Sequence, residues 1–309
     1  MMDQDIRKNV DDYIIYEDVK KITKESYRGI LEKYIEYVEN LSRPPTRKDI
    51  IAYREHLVET HNERTAQKNI VVIRKYYAWL YAEGKGENIA INIKGVKIPN
   101  THSKLAFTVK QAKSLVDYAF FRSTQSMTGL RNLAITVLML TTGLRTIEVA
   151  RADIKDISER DDLKLIFIQG KGRDSKDEYV KLTEEAYSLI TDYLAKRKDN
   201  YKPLFINHGN NSLHKRMATD TISNFLKDYI KDIGLHDNKY TAHSLRHTTA
   251  TLGFKAGATI EQISTLLRHK NLNTTLTYVN DISRAEDNVE GLVNDAVVKE
   301  IYNKRKGIT

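Results

Sequence analysis

Apolar residues recur at helical spacing along most of this chain, and the period changes clearly only once, between residues 163 and 182. A chain patterned in this way must bury amphipathic helices against one another, with sheet confined to a hairpin. Residues 24–40 carry Tyr27, Ile30, Leu31, Tyr34, Ile35 and Val38 on one stripe. Thr46, with Asp49 three residues on, opens a second helix bearing Ile50, Ile51, Tyr53 and Leu57. Thr65 opens a third that carries Ile70, Ile73, Tyr77, Trp79, Leu80 and Tyr81 and ends at Gly84 and Gly86. A weaker pattern, Val10 to Val19, precedes them. With 14 Gly and 4 Pro in 309 residues, turns are few and a mainly helical fold is expected.

At 309 residues the chain has length for two domains. Residues 94–106, with Gly95, Pro99 and Asn100, have no periodicity and read as a linker between a helical domain at 1–93 and a larger one at 107–309. Thr108 and Gln111 form a capping-box pattern at the start of the second domain. A long apolar helix follows at about 128–141 and stops before Gly143. Leu163, Leu165 and Phe167, then Gly170–Glu178, then Tyr179, Val180 and Leu182 read as a β-hairpin. Helices are expected at 184–198, 219–232, 242–256, 260–268 and 285–302.

Composition narrows the chemistry. The chain has no cysteine, which excludes disulfides, a thiol nucleophile and thiolate-held metals. The formal charge is +9, the footprint of a nucleic-acid binder though not specific to one. The N-terminus lacks the apolar core of a secretory signal, and the longest apolar stretch is far too short to span a bilayer, so a cytoplasmic protein is expected. No G-x-x-x-x-G-K-[ST] occurs, which argues against a nucleoside triphosphatase.

Four segments carry chemistry-bearing side chains. Thr142-Gly143-Leu144-Arg145-Thr146-Ile147-Glu148 places an arginine just past a glycine break, with a glutamate at i+3. Gly170-Lys171-Gly172-Arg173 forms a hairpin tip whose glycines allow close backbone approach to a partner; Lys176 lies on the same turn. Thr241-Ala242-His243-Ser244-Leu245-Arg246-His247 sets His243 and Arg246 on one helical face, a pairing suited to an oxyanion. His243 and His247 could also ligate a metal, but no acidic third ligand is near in sequence and no metal is expected. Leu266-Leu267-Arg268-His269 ends a helix capped by Thr259 and Gln262, where the helix dipole favours a protonated imidazole on His269; Tyr278 follows nine residues later. Each segment alone is ordinary: an ion pair, a polar tip, a helix start, a packed histidine.

In this order, over nearly the whole chain, the segments resemble the tyrosine recombinase (phage integrase-like) family, in particular its compact Xer-like members. The resemblance implies a SAM-like helical core-binding domain and a catalytic domain with a small sheet, clasping DNA between them. It implies site-specific recombination through a 3′-phosphotyrosine intermediate, without cofactor. Tyr278 would be the nucleophile, Arg145 and Arg246 would hold the non-bridging oxygens, and Lys171 would protonate the leaving 5′ oxygen. His243 would act as base or hydrogen-bond donor beside the nucleophile. His269 would hydrogen-bond a non-bridging oxygen, and Glu148 would orient Arg145 or a histidine. Arg64, Thr65, Lys68, Arg74 and Lys75 on the third helix, with Lys68 and Arg74 read as sharing a face, and Arg173 on the hairpin are candidate DNA contacts; a solvated helix face is their plain alternative.

The implied partner is double-stranded DNA with paired half-sites, bound by a dimer on one site and a tetramer in the synapse. Residues 285–302, with Val289, Leu292, Val293, Ala296, Val297 and Ile301 on one stripe, either pack on their own domain or dock on a neighbour. One departure is visible: the family has glycine before the last histidine of its pattern, and this chain has Arg268. A left-handed helix end would be less comfortable with arginine. The alternatives are relaxation by a type IB topoisomerase-like enzyme and a non-catalytic basic DNA-binding regulator.

Overall fold

The computed structural model of the chain describes residues 2–98, 104–170, 175–209, 214–269, 271–272 and 275–276. Two compact units divide it, Met1–Thr101 and His102–Thr309. Lys171, Arg173, Tyr278 and the stripe at 285–302 lie outside the described residues.

The first unit holds α1 (Met2–Tyr16), α2 (Lys21–Glu39), α3 (Arg47–Thr60) and α4 (Glu63–Ala82). Their stripes meet in a core centred on Tyr13, Leu31, Tyr34, Ile50, Ile70 and Ile73. The Tyr34 and Tyr77 hydroxyls meet inside it at 3.0 Å, so neither polar tip is buried alone. Two helix starts differ from expectation. The first helix begins well before Val10. The cap of α4 is Asn62, not Thr65: the Asn62 side-chain oxygen accepts the Thr65 N–H at 2.9 Å, which places Thr65 one turn inside the helix. Beyond α4, Ala90 and Ile93 join the core, and Gln67 accepts the Val96 N–H at 2.6 Å.

The second unit contains α5 (Val109–Ser123), α6 (Met127–Thr142), α7 (Thr146–Arg151), a 3₁₀ turn (Ile154–Asp156), β1 (Ile157–Arg160), β2 (Leu163–Ile168), β3 (Glu178–Lys181), α8 (Glu184–Arg197), α9 (Thr219–Asp232), α10 (Ala242–Lys255) and α11 (Ile260–Leu267). The α6 helix is buried along most of its length and packs against α5, α8 and α10. Phe107 fastens the start of the unit: its N–H donates to Thr248 Oγ1 at 2.8 Å and its ring stacks on Tyr240. The expected hairpin is the β2–β3 pair, with Ile168 opposite Glu178. A third antiparallel strand, β1, was not expected and completes the order β1-β2-β3. Asp161 and Asp162 join β1 to β2 with φ of 47° and 64°, the two-residue turn whose twist matches a hairpin. Among the described residues no helix is long and apolar enough to cross a membrane.

Candidate active site

Arg145 is placed by the two residues before it and the short helix after it. Gly143 ends α6 at φ 64°, and a Cβ there would come within 2.4 Å of Leu267 Cδ2, so both the backbone and the packing require glycine. The chain then turns extended at Arg145, the N-cap of α7. Glu148, fully buried, accepts the Arg145 main-chain N–H on Oε2 at 2.8 Å and the Arg145 Nη1–H on Oε1 at 2.8 Å. Burial acts to raise the Glu148 pKa, but Arg268 and Arg145 more than offset it and hold the carboxyl below the usual range. Glu148 therefore orients Arg145, which keeps 28% of its side chain exposed.

Arg246, on α10, is 1% exposed. Its Nη1 donates to the Gly143 carbonyl at 2.6 Å and its Nη2 to the Leu267 carbonyl. One guanidinium thus ties the residue two before Arg145 to the residue two before His269. His243, one turn earlier on α10, is exposed. Its ring stands edge-on to that of His247 at 6.1 Å, and His247 is buried in the unit, 4% exposed. A pocket of about 610 Å³ is lined by Arg145, Thr146, His243, Arg246, Asn224 and Lys227, among others. The last two lie on α9 and were not singled out from the sequence.

His269 follows the end of α11. Its Nδ1 lies 2.8 Å from the hydroxyl of the fully buried Thr275. The expectation of a protonated imidazole is corrected here. Burial, with Arg246, Arg145 and Arg268 nearby, pushes the His269 pKa down from 6.5 to about 4, so the ring is neutral at pH 7. The helix dipole, worth ~0.3–1 kcal/mol, is outweighed. Thr275 was also missed; the Thr274-Thr275 pair between His269 and Tyr278 was its only signal.

Arg268 does adopt the left-handed conformation, φ 55° and ψ 49°. Its Nη2 donates to Glu148 Oε2 at 2.8 Å and its Nη1 to the Leu266 carbonyl at 2.6 Å, with the side chain only 7% exposed.

On the hairpin, Lys176 is committed. Its Nζ donates to Asp153 Oδ2 at 2.9 Å, to the Arg151 carbonyl at 3.0 Å and to Asp156. Arg216 also pairs with Asp153. In the first unit, Arg64, Lys68, Arg74 and Lys75 are exposed on α4 and Thr65 is half-buried. Lys68 reaches Ser26 Oγ at 2.6 Å, while Lys75 sits over the Tyr27 ring at 5.4 Å and 3.5 Å from Glu17. Lys68 therefore shares its face with Lys75 rather than with Arg74, because seven residues complete nearly two helical turns and six do not.

The profile of the phage integrase family matches residues 106–284, and that of its N-terminal SAM-like domain matches residues 10–84. The chain belongs to the phage integrase family, the tyrosine recombinases. Tyrosine recombinase XerC of Caldanaerobacter subterraneus subsp. tengcongensis is 30% identical over 266 residues, 83% of this chain and 67% of that protein. Tyrosine recombinase XerA of Pyrococcus horikoshii is 28% identical over 279 residues, 90% of each chain. Among solved structures, XerH site-specific recombinase bound to palindromic difH substrate, in a post-cleavage complex, shares the fold with a TM-score of 0.71 at 20% identity, covering 90% of this chain and 80% of that one. This tyrosine recombinase is of Xer type and acts in site-specific DNA recombination, cleaving and rejoining strands. Neither topoisomerase-like relaxation nor a non-catalytic regulator is favoured.

Proposed function

We propose that the scissile phosphate binds in the pocket shared by Arg145, His243 and Arg246, with His269 beside it, and that Tyr278 attacks it. The observation carrying this reading is the convergence of three separated segments on one point. Arg246 joins the Gly143 and Leu267 carbonyls, and the His269 ring lies within the fields of Arg246, Arg145 and His243. In the reaction the Tyr278 phenolic oxygen bonds to phosphorus and the bond to the 5′ oxygen breaks, leaving a 3′-phosphotyrosine. His243 takes or shares the phenol proton, and Lys171 gives one to the departing 5′ oxygen. Arg145 and Arg246 offset charge growing on the non-bridging oxygens. A Thr275 hydroxyl donating to Nδ1 leaves the proton of neutral His269 on Nε2, aimed as a donor at a non-bridging oxygen.

Arg64, Lys68, Arg74 and Lys75 on α4, with Arg173 and Lys227, contact phosphates of duplex DNA, and Thr65 lies among them. Lys68 and Thr65 already line a groove of about 720 Å³ with Lys33, His56 and His61. The palindromic substrate of XerH supports a paired-half-site target here too. We take this to mean a dimer on each site and a tetramer in the synapse, with residues 285–302 docking on a neighbour.

The test uses a nicked suicide duplex carrying the site that the full chain selects from a randomised duplex pool. Wild-type protein should accumulate a covalent adduct, and Tyr278→Phe should bind the duplex normally and form none. An adduct that persists in the Phe variant, or maps to Tyr240 or Tyr302, overturns the assignment.

A further inference from the structure

Arg268 completes the arrangement of charged groups around Glu148. Glu148 is a fully buried carboxylate with a guanidinium on each side: Arg145 Nη1 at 2.8 Å from Oε1, and Arg268 Nη2 at 2.8 Å from Oε2. Arg268 cannot swing away freely. Its left-handed backbone at the end of α11 fixes the direction of the side chain, its Nη1 is held by the Leu266 carbonyl, and the carbonyl of the preceding Leu267 is gripped by Arg246. Its Nε has no hydrogen-bond partner among the described residues. An arginine accepts that arrangement only where its other end is strongly paired.

With glycine at 268, Glu148 would face Arg145 alone. The two would form a neutral pair, and the carboxylate would draw the full charge of Arg145 to itself. With Arg268 present, two guanidiniums share the Glu148 carboxylate, with Glu178 also acting on Arg268, and Arg145 no longer neutralises Glu148 alone. We infer that Arg268 is a positioning residue for strand cleavage: by binding Glu148 Oε2 beside the Arg145 main-chain N–H it fixes that carboxylate and leaves more of the charge of Arg145 available to the scissile phosphate. The inference rests on the reading of Arg145 as a phosphate ligand.

Arg268→Met is the decisive variant, because it removes the charge and retains much of the volume. Single-turnover cleavage is measured on two nicked duplexes of the selected site, one with an ordinary phosphodiester and one with a methylphosphonate at the cleavage position. The methylphosphonate lacks the non-bridging charge that Arg145 is asked to offset. Arg268→Met should slow the phosphodiester by about tenfold to a hundredfold, as expected for a misplaced catalytic group. It should leave the dissociation constant for the duplex within about threefold, and it should lose much less on the methylphosphonate, as Arg145→Ala should.

Arg268→Lys, which keeps the charge, should cleave faster than Arg268→Met. If the Met variant does not melt cooperatively, the same two-substrate comparison is read from the Lys variant, with a smaller loss confined to the phosphodiester. Wild-type rates in Arg268→Met, or equal slowing on both duplexes, would overturn the inference while leaving the functional reading intact. No adduct from wild-type protein on either duplex would overturn that reading and this inference together.

Discussion

Lys176 and Lys171 lie five residues apart in the sequence, and the surroundings of Lys176 bear on which of them can act. Lys176 is held by Asp153, Asp156 and the Arg151 carbonyl with 23% of its side chain exposed, so its ammonium fastens the hairpin to the segment between α7 and β1. A lysine so engaged is poorly placed to give a proton to a leaving group. If Lys171 is the general acid, Lys171→Ala should cleave an ordinary phosphodiester ~10²–10⁴-fold more slowly. It should cleave a 5′-bridging phosphorothiolate at close to the wild-type rate, because sulfur departs without protonation. Lys176→Ala should behave differently. It leaves two largely buried carboxylates short of a donor and should lower stability by about 1–3 kcal/mol in thermal melts, with no preferential gain on the sulfur substrate. Sulfur rescue of Lys176→Ala and not of Lys171→Ala would reverse the two assignments.

At the scale of elements, the site depends on how α6, α10 and α11 end or begin against one another. The left-handed Gly143 turns the chain out of α6, Leu267 of α11 fills the space a Cβ would take, and Arg246 of α10 binds a carbonyl from each neighbour. Gly143→Ala should therefore disturb the site from a position outside the proposed catalytic set. The left-handed backbone costs about 1–2 kcal/mol for a residue with a Cβ. Displacing Leu267 adds about 1–3 kcal/mol. The expected result is a lower melting temperature together with cleavage reduced more than duplex binding, since Arg145 and the His269 turn both shift. A variant that melts and cleaves like wild type would show that the α6–α11 contact does not position Arg145.

For the whole molecule, the consequence of a +9 charge is that affinity for duplex DNA should fall steeply as salt rises, as expected if the proposed phosphate contacts dominate binding. The proposed docking of residues 285–302 on a neighbour is tested by truncation. Deleting residues 285–309 should leave binding to a single site largely intact and weaken synapsis and recombination, as read from gel mobility on one site against two. Loss of cooperative melting in the truncated chain would instead assign the stripe to the core of its own unit.

Most of the described helices were legible because each depends on a local period and a local cap, whereas the six-residue α7 was too short to show one and the cap of α4 was Asn62 rather than Thr65. Thr108 with Gln111 and Thr259 with Gln262 exchange both hydrogen bonds expected of them. The apolar stripe of α2 is buried at Ile30, Leu31, Tyr34, Ile35 and Val38. The strand β1 was not legible, since four residues with two exposed carry little alternation and only the Asp161-Asp162 turn marks it. The order of the motif segments, and through it the family, was also written in the chain. Their electrostatics were not. His269 is neutral because packing buries it and brings Arg246 and Arg145 from other elements to its side, and the left-handed Arg268 is paired with Glu148, which lies 120 residues earlier and is buried beside it. Periodicity and motif order are properties of neighbours in sequence. Burial and the summed field of distant charges exist only once the chain has packed.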